Sequence, residues 1–174
     1  MKNVDRPLLK ARIRPMEPKD FAFIRSLAAD FSTFTVPSDY VLWFFTRFHP
    51  KYCQVLEQDS GGLRAYLLAT PTSNPKNGIA IWQVAATKPN QAFALEYFAS
   101  YLRDLADHTG ATSIFFTAQQ ESLASLRLIR SLAKEFFACD LEQLTPVPSG
   151  QGEYEFRLSI GMGRSESENT KKTD

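Results

Sequence analysis

Residues 11–16 (Ala-Arg-Ile-Arg-Pro-Met) alternate apolar and basic side chains, the period of a half-buried strand. Glu17-Pro18-Lys19-Asp20 follows, with proline early and acids where a first helical turn favours them. Phe21, Ile24, Leu27, Ala28 and Phe31 recur at three- and four-residue spacing, which predicts an amphipathic helix to about residue 31. Residues 32–37 read as a loop. Ser38 is the predicted N-cap of a second, more hydrophobic helix that ends near His49-Pro50.

Beyond residue 51 the period shortens. Tyr52–Gln58 and Leu63–Thr70 read as strands joined by Asp59-Ser60-Gly61-Gly62, a hairpin signal. Residues 71–77 read as a loop, and 78–86 (GIAIWQVAA) as a nearly continuous apolar strand that belongs inside a sheet. A helix over about 90–108 carries Ala94, Tyr97, Phe98, Tyr101, Leu102 and Leu105 on one stripe and is stopped by Gly110. Residues 112–117 give another strand. A further helix over 121–136 is predicted to turn Ser125, Leu128, Ile129, Leu132 and Phe136 inward. Residues 141–152 are loop-rich with room for an optional strand, and 153–160 (EYEFRLSI) form the last strand. The order β-α-α-β-β-β-α-β-α-(β)-β predicts an α/β (α+β) domain, a mixed sheet with helices packed on it.

A chain of 174 residues fits one domain, here 11–160, with an N-terminal extension over 1–10 and a polar tail over 161–174 expected to be disordered. Twenty basic against nineteen acidic residues leave a net charge of +1, which argues against nucleic acid as the main partner. The longest apolar runs, such as Val41–Phe45, fall short of a membrane span, so no membrane partner is expected. Two cysteines, Cys53 and Cys139, are too few for a disulfide scaffold and read as reduced, buried side chains of a cytoplasmic protein. His49 and His108 each sit near a helix end, where an imidazolium suits the dipole. With two His and two Cys far apart in sequence, no metal site is expected.

The element order, together with Ile81-Trp82-Gln83-Val84-Ala85 in the central strand, Ser38-Asp39-Tyr40 and the closing residues 153–158, resembles the GNAT acyl-CoA N-acyltransferases. Within them it is most similar to the diaminobutyrate acetyltransferases of ectoine synthesis, over roughly residues 11–160. The resemblance implies a GNAT-like, mostly antiparallel mixed sheet, acetyl-CoA as cosubstrate, a primary amine of a small molecule such as a diamino acid as acceptor, and a possible homodimer. It places the main chain of Gln83, Val84 and Ala86 against the pantetheine arm. It also places Gln91, Ala92 and Ala94 at the pyrophosphate, where a helix N-terminus offers amide N–H groups, and Ser122 at the coenzyme A arm.

Two departures stand in that loop. Ala94 adds a methyl where the family carries glycine, and Glu96 brings a carboxylate where a small neutral residue borders the phosphates. Like charges ~4–6 Å apart at a surface-like dielectric repel by about 3–4 kcal/mol, so only a weak effect of acetyl-CoA on melting temperature is expected. The family's thiolate-protonating tyrosine falls on Ile129.

On the acceptor side the resemblance assigns catalytic roles to Glu153, taking the amine proton directly or with water between, and to Tyr40, holding the amine against an aromatic wall completed by Trp82. Two acids that would hold a diamino acid fall on Thr35 and Phe115. That implies a less cationic or more apolar ligand, with Phe115 as a hydrophobic wall. Three readings follow: an acyl-CoA-dependent N-acyltransferase, a catalytically degenerate GNAT-fold protein that binds a small ligand or protein partner, and an enzyme with a different donor. Each retained residue also has an ordinary structural reading: Trp82 as core, Tyr40 as helix packing and Glu153 as solvated face.

Overall fold

The computed structural model describes residues 10–32, 34–73, 76–88, 91–119, 123–147 and 153–160. Residues 1–9, most of the expected N-terminal extension, and the tail 161–174 lie outside the described residues. Strand β1 (Ala11–Pro15) leads through a 3-10 turn (Pro18–Asp20) into α1 (Phe21–Ala29). The Asp20 carboxylate accepts the Glu17 N–H at 2.9 Å, so the acidic opening acts as a capping box. Helix α2 (Asp39–Phe48) begins where the Ser38 hydroxyl accepts the Val41 N–H at 3.3 Å.

Strands β2 (Cys53–Gln58) and β3 (Leu63–Thr72) form the expected hairpin, turning at Gly61 with φ +83°, a conformation that favours glycine. Strand β3 runs two residues further than predicted because Pro71 and Thr72 still pair with Ile79 and Gly78. Strand β4 (Gly78–Ala86) precedes α3 (Gln91–Thr109), and Gly110, at φ +69°, ends that helix. Then come β5 (Ser113–Gln119), α4 (Leu123–Phe137), β6 (Leu141–Pro146) and β7 (Glu153–Ser159). The optional strand is thus real and pairs with β7 at the sheet edge.

The seven strands lie in the order β1-β2-β3-β4-β5-β7-β6, with β4 and β5 parallel and every other neighbour antiparallel. Helices α3 and α4 cover one face, where Leu56, Leu67, Ile79, Phe98, Ile114 and Phe156 are buried together. Helices α1 and α2 cover the other, with Ile24, Leu27, Leu42, Val55, Tyr66 and Leu68. Of the inward stripe predicted for α4, Ile129 and Phe136 are half-buried and pack against the α3/α4 core, and Leu126, Ala133 and Phe137, not predicted, are buried more fully. Packing of α4 on α3, β6 and β7 covers Leu126, Ala133 and Phe137 more completely than their neighbours. The side chains of Ser125, Leu128 and Leu132 lie outside the described set.

Candidate active site

Parallel pairing of β4 with β5 runs only from Gly78 opposite Ser113 to Ile81 opposite Phe116, although β4 continues to Ala86 and β5 to Gln119. The two strands diverge beyond that point and leave a V-shaped gap. Its cause is local. Leu68 of β3 pairs with Gln83 while Ala69 pairs with Ile81, so Trp82 is the extra residue of a β-bulge. A bulge bends and twists its strand, and here it carries the end of β4 away from β5. It also breaks the alternation of side chains. Ile81 and Val84 pack with the α3/α4 core. Between them, Trp82 stacks on Phe45 of α2, with ring centroids 5.4 Å apart and planes at 13°. Gln83 likewise turns toward α1 and α2, where it accepts a hydrogen bond from the Tyr66 hydroxyl at 3.1 Å.

The main chain at the gap follows from the ladder. The Thr87 N–H donates to Arg64 O at 2.8 Å, and the same register pairs Ala86 with Ala65, Ala85 with Tyr66 and Gln83 with Leu68. Antiparallel pairs alternate between bonded and non-bonded. The amide groups of Gln83 and Ala85 are therefore spent on β3, while those of Val84 and Ala86 face the gap, where no described strand pairs with them. Of the three residues expected to offer main chain there, Gln83 contributes its side chain instead.

The gap opens into a cavity of ≈ 610 Å³ that passes through the sheet. On the α1/α2 side it is lined by Phe31, Phe34, Thr35, Trp82, Gln83, Thr117 and Glu153. Gln83 Nε2 donates to the Thr35 carbonyl at 2.8 Å and so ties the α1–α2 connection to β4. Phe31 and Phe34 stack with centroids 4.9 Å apart beside it. On the other side, apart from Gln91 at the start of α3, the lining is apolar and reaches past the fork of the strands to Leu102, Ala133, Phe137 and Leu158.

The expected site residues separate into several groups. Thr35, Trp82, Gln83, Val84, Ala86, Gln91, Ala94 and Glu153 all line the cavity, and Glu153 is half-buried at its mouth. Ala92 is exposed on the first turn of α3. Tyr40 does not line the cavity: it is 69% exposed and packs its ring on Trp43 at 5.8 Å. Its position on the outward side of α2 separates it from Trp82. Phe115 is corrected as a wall. It is buried beside Gly78, where an added Cβ would come within 2.9 Å of its ring, and Thr117, two residues along the same strand face, lines the cavity instead. Ser122 lies outside the described residues.

Sequence reasoning missed Phe31, Phe34 and Thr117 as lining residues. Strand alternation signals only Thr117, since a wall at 115 implies one at 117. Glu96 is exposed and turned about 200° around the helix from Ala94, away from the stripe of Gln91, Ala94, Leu95 and Phe98 that lines the cavity. Its charge meets solvent instead of the gap, whereas Ala94 is buried and borders the gap as expected.

Burial raises the Tyr66 phenol well above its usual range, which keeps it a neutral donor to Gln83. Burial likewise pushes the Cys53 thiol up to about 12, so it is a poor nucleophile. Neither cysteine is bridged. Among the described residues no three His, Cys, Asp or Glu gather in a group that could hold a metal, and no helix is long and apolar enough to cross a membrane.

No protein-family model matches the chain, and no curated protein matches it in sequence. Solved structures do match. The diaminobutyrate acetyltransferase EctA of Paenibacillus lautus, solved with L-2,4-diaminobutyric acid and coenzyme A, aligns with a TM-score of 0.73 at 20% identity over 87% of this chain and 96% of that one. Ard1 of Thermoplasma volcanium aligns at 0.68 and 14% identity over 86% and 97% of the two chains. The ribosomal-protein-S18-alanine N-acetyltransferase of Escherichia coli aligns at 0.65 and 16% identity over 91% and 97%. The chain has the GNAT acetyltransferase fold.

Proposed function

We propose that the protein transfers an acyl group from coenzyme A to a primary amine of a small molecule. One observation carries this reading: the gap between β4 and β5, with the main-chain groups of Val84 and Ala86 turned into it. An extended thioester arm laid along β4 there finds amide donors and acceptors in strand-like spacing. Gln91, at the start of α3 and bordering the gap, stands where a diphosphate meets the positive end of a helix.

The amine enters from the α1/α2 side, between Trp82, Thr35 and Glu153. Glu153 takes its proton directly or with water between, and the free amine attacks the thioester carbonyl carbon. A main-chain N–H of the Val84 region stabilises the oxyanion. As the N–C bond forms and the C–S bond breaks, a proton from the amine ends on sulfur, giving an amide and a thiol. Ile129 lines the cavity and has no proton to give, so that proton travels with water. With threonine at 35 and at 117, Glu153 is the acid among the described residues that line the cavity, which leaves no second carboxylate to grip a second ammonium, so the acceptor is a weakly cationic amine, with Phe31, Phe34 and Trp82 against its apolar part.

A second reading, a GNAT-fold protein that binds a small ligand without acyl transfer, is favoured by Ala94 and Ile129, which stand in the cavity where the family pattern has glycine and tyrosine. Coenzyme A titration separates the two. Because Glu96 faces solvent, the larger objection to binding is removed, and coenzyme A at a hundredfold excess over its Kd should raise Tm by about 5 °C or more. Thiol release from acyl-CoA with an amine panel that includes diaminobutyrate then reads turnover. Binding without thiol release selects the second reading, and no binding removes the first.

A further inference from the structure

The cavity does not stop at the fork of the strands. Ile114 and Leu158, which line it, lie in the continuously paired part of the sheet, two residues below Phe116. Its lining on α3 runs from Leu95 to Leu102, about 10 Å of helix, and on α4 from Ile129 to Phe137, about 12 Å. This inner limb is closed by Leu102, Phe137 and Leu158, all buried, and its lining side chains are apolar. Apart from Gln91, at the outer end of α3, the polar side chains that line the cavity, Thr35, Gln83, Thr117 and Glu153, belong to the opposite, α1/α2 side. The space is therefore segregated, with polar groups where an amine arrives and hydrocarbon beyond the fork.

The geometry points to a donor with an alkyl chain longer than acetyl, its acyl tail held in the inner limb between α3, α4 and the sheet. The inference rests on the acyl-transfer reading above. A thioester arm running along Val84 and Ala86 toward the fork brings its carbonyl to the bulge at Trp82, between the two sides. The amine occupies the α1/α2 side, so the rest of the acyl group continues to the α3/α4 side, where the apolar lining runs well beyond the reach of an acetyl methyl. An apolar chain entering a preformed apolar cavity gains with each methylene buried. The donor carbonyl is attacked as for acetyl transfer: the amine nitrogen bonds to it, the C–S bond breaks, and the products are a longer-chain amide and coenzyme A thiol.

The test is a calorimetric titration of the full chain with coenzyme A and with its acetyl, butanoyl, hexanoyl and octanoyl thioesters. Hexanoyl-CoA is expected to bind about tenfold or more tighter than acetyl-CoA, and Ala133→Leu, which projects into the limb, is expected to abolish that ratio. A flat series with measurable coenzyme A binding overturns the acyl limb and leaves the acyl-transfer reading standing. No binding of any member removes both. Length dependence that appears with alkylamines instead of thioesters overturns the donor assignment. Because the series on the unmodified chain decides by itself, a failure of Ala133→Leu to fold changes nothing.

Discussion

Helix α3 buries Ala94, Phe98, Ala99, Leu102, Leu105 and Ala106 against the sheet, whereas α2, richer in aromatic side chains, buries Leu42 and leaves Tyr40, Trp43, Phe44 and Phe48 exposed. Both helices carry enough apolar surface to cover a sheet face. They differ in what lies beneath. Under α3 the sheet offers a hydrocarbon surface drawn from β3 to β7, which also lines the inner limb of the cavity. Under α1 and α2 it offers a smaller core and then polar groups, among them Gln83 held by Tyr66 and Thr35. The aromatic rings of α2 instead touch one another, Trp43 on Phe48, Phe44 on Phe48 and Phe45, and Phe45 on Trp82 at the mouth of the cavity. One side of the sheet holds the larger apolar core and keeps even its share of the cavity apolar. The other gives up part of its burial to surround an opening.

The sharpest way to break that comparison is to truncate one phenylalanine on each side. Phe98→Ala removes a ring that is 1% exposed in the α3 core and is expected to cost about 3–5 kcal/mol. Phe48→Ala removes one that is 57% exposed and is expected to stay within about 0.5 kcal/mol. Chemical denaturation of both variants measures the difference. Equal costs would mean that α2 is packed as α3 is, and that its rings are not a free surface.

A smaller effect sharpens the account of how the α1/α2 side is held without much hydrocarbon. Arg14 makes a two-pronged contact with Asp20, at 2.7 and 2.9 Å, and bonds Glu57 at 3.2 Å. Asp20 is 2% exposed, so Arg14→Met leaves a buried carboxylate without its counterion, at about 3 kcal/mol. The same variant carries a pH signature. Hydrogen bonding to Arg14, and then to Arg12, holds the Glu57 carboxyl below its ordinary range. A lowered folded-state pKa adds stability above the unfolded carboxylate's pKa, and that stability is lost as pH falls through the lower folded value. Removing Arg14 takes away the larger cause, so the acid-side slope of stability should flatten. An unchanged slope would place the acid sensitivity elsewhere.

The comparison also explains what could be read from the chain and what could not. Periodicity located α1, α2, α3 and the strands because each must bury one face, and the Ser38 cap and the Gly61 and Gly110 turns are local backbone requirements. The most deeply buried residues of α4, Leu126, Ala133 and Phe137, escaped notice because its rotation is set by α3, β6 and β7, which lie outside its own segment. At the site, Trp82 and Gln83 stood out as unusual residues in an apolar strand. The bulge that turns both toward α1 and α2 is set by the pairing of β3, and no feature of residues 78–86 alone announces it. Phe115 and Glu96 were misplaced for a related reason. A residue-by-residue match gives position along the chain, but strand alternation and helix rotation decide which side meets the cavity.

Gln83 gives the finest test, because it joins the two sides of the contrast. Its Oε1 accepts from Tyr66, which is fully buried, and its Nε2 donates to the Thr35 carbonyl in the connection that carries Phe31 and Phe34. Gln83→Leu keeps roughly the same volume but strands the Tyr66 hydroxyl, and is expected to cost about 1–3 kcal/mol. Tyr66→Phe loses the hydroxyl but leaves the Gln83–Thr35 bond in place. If the bond to Thr35 positions the acceptor wall, Gln83→Leu raises the acceptor KM while the donor KM stays near that of the parent, and Tyr66→Phe changes neither. If both variants lose stability and leave the acceptor KM alone, Gln83 is a core residue that happens to border the gap, and the amine is held by Trp82 and Glu153 without help from the α1–α2 connection.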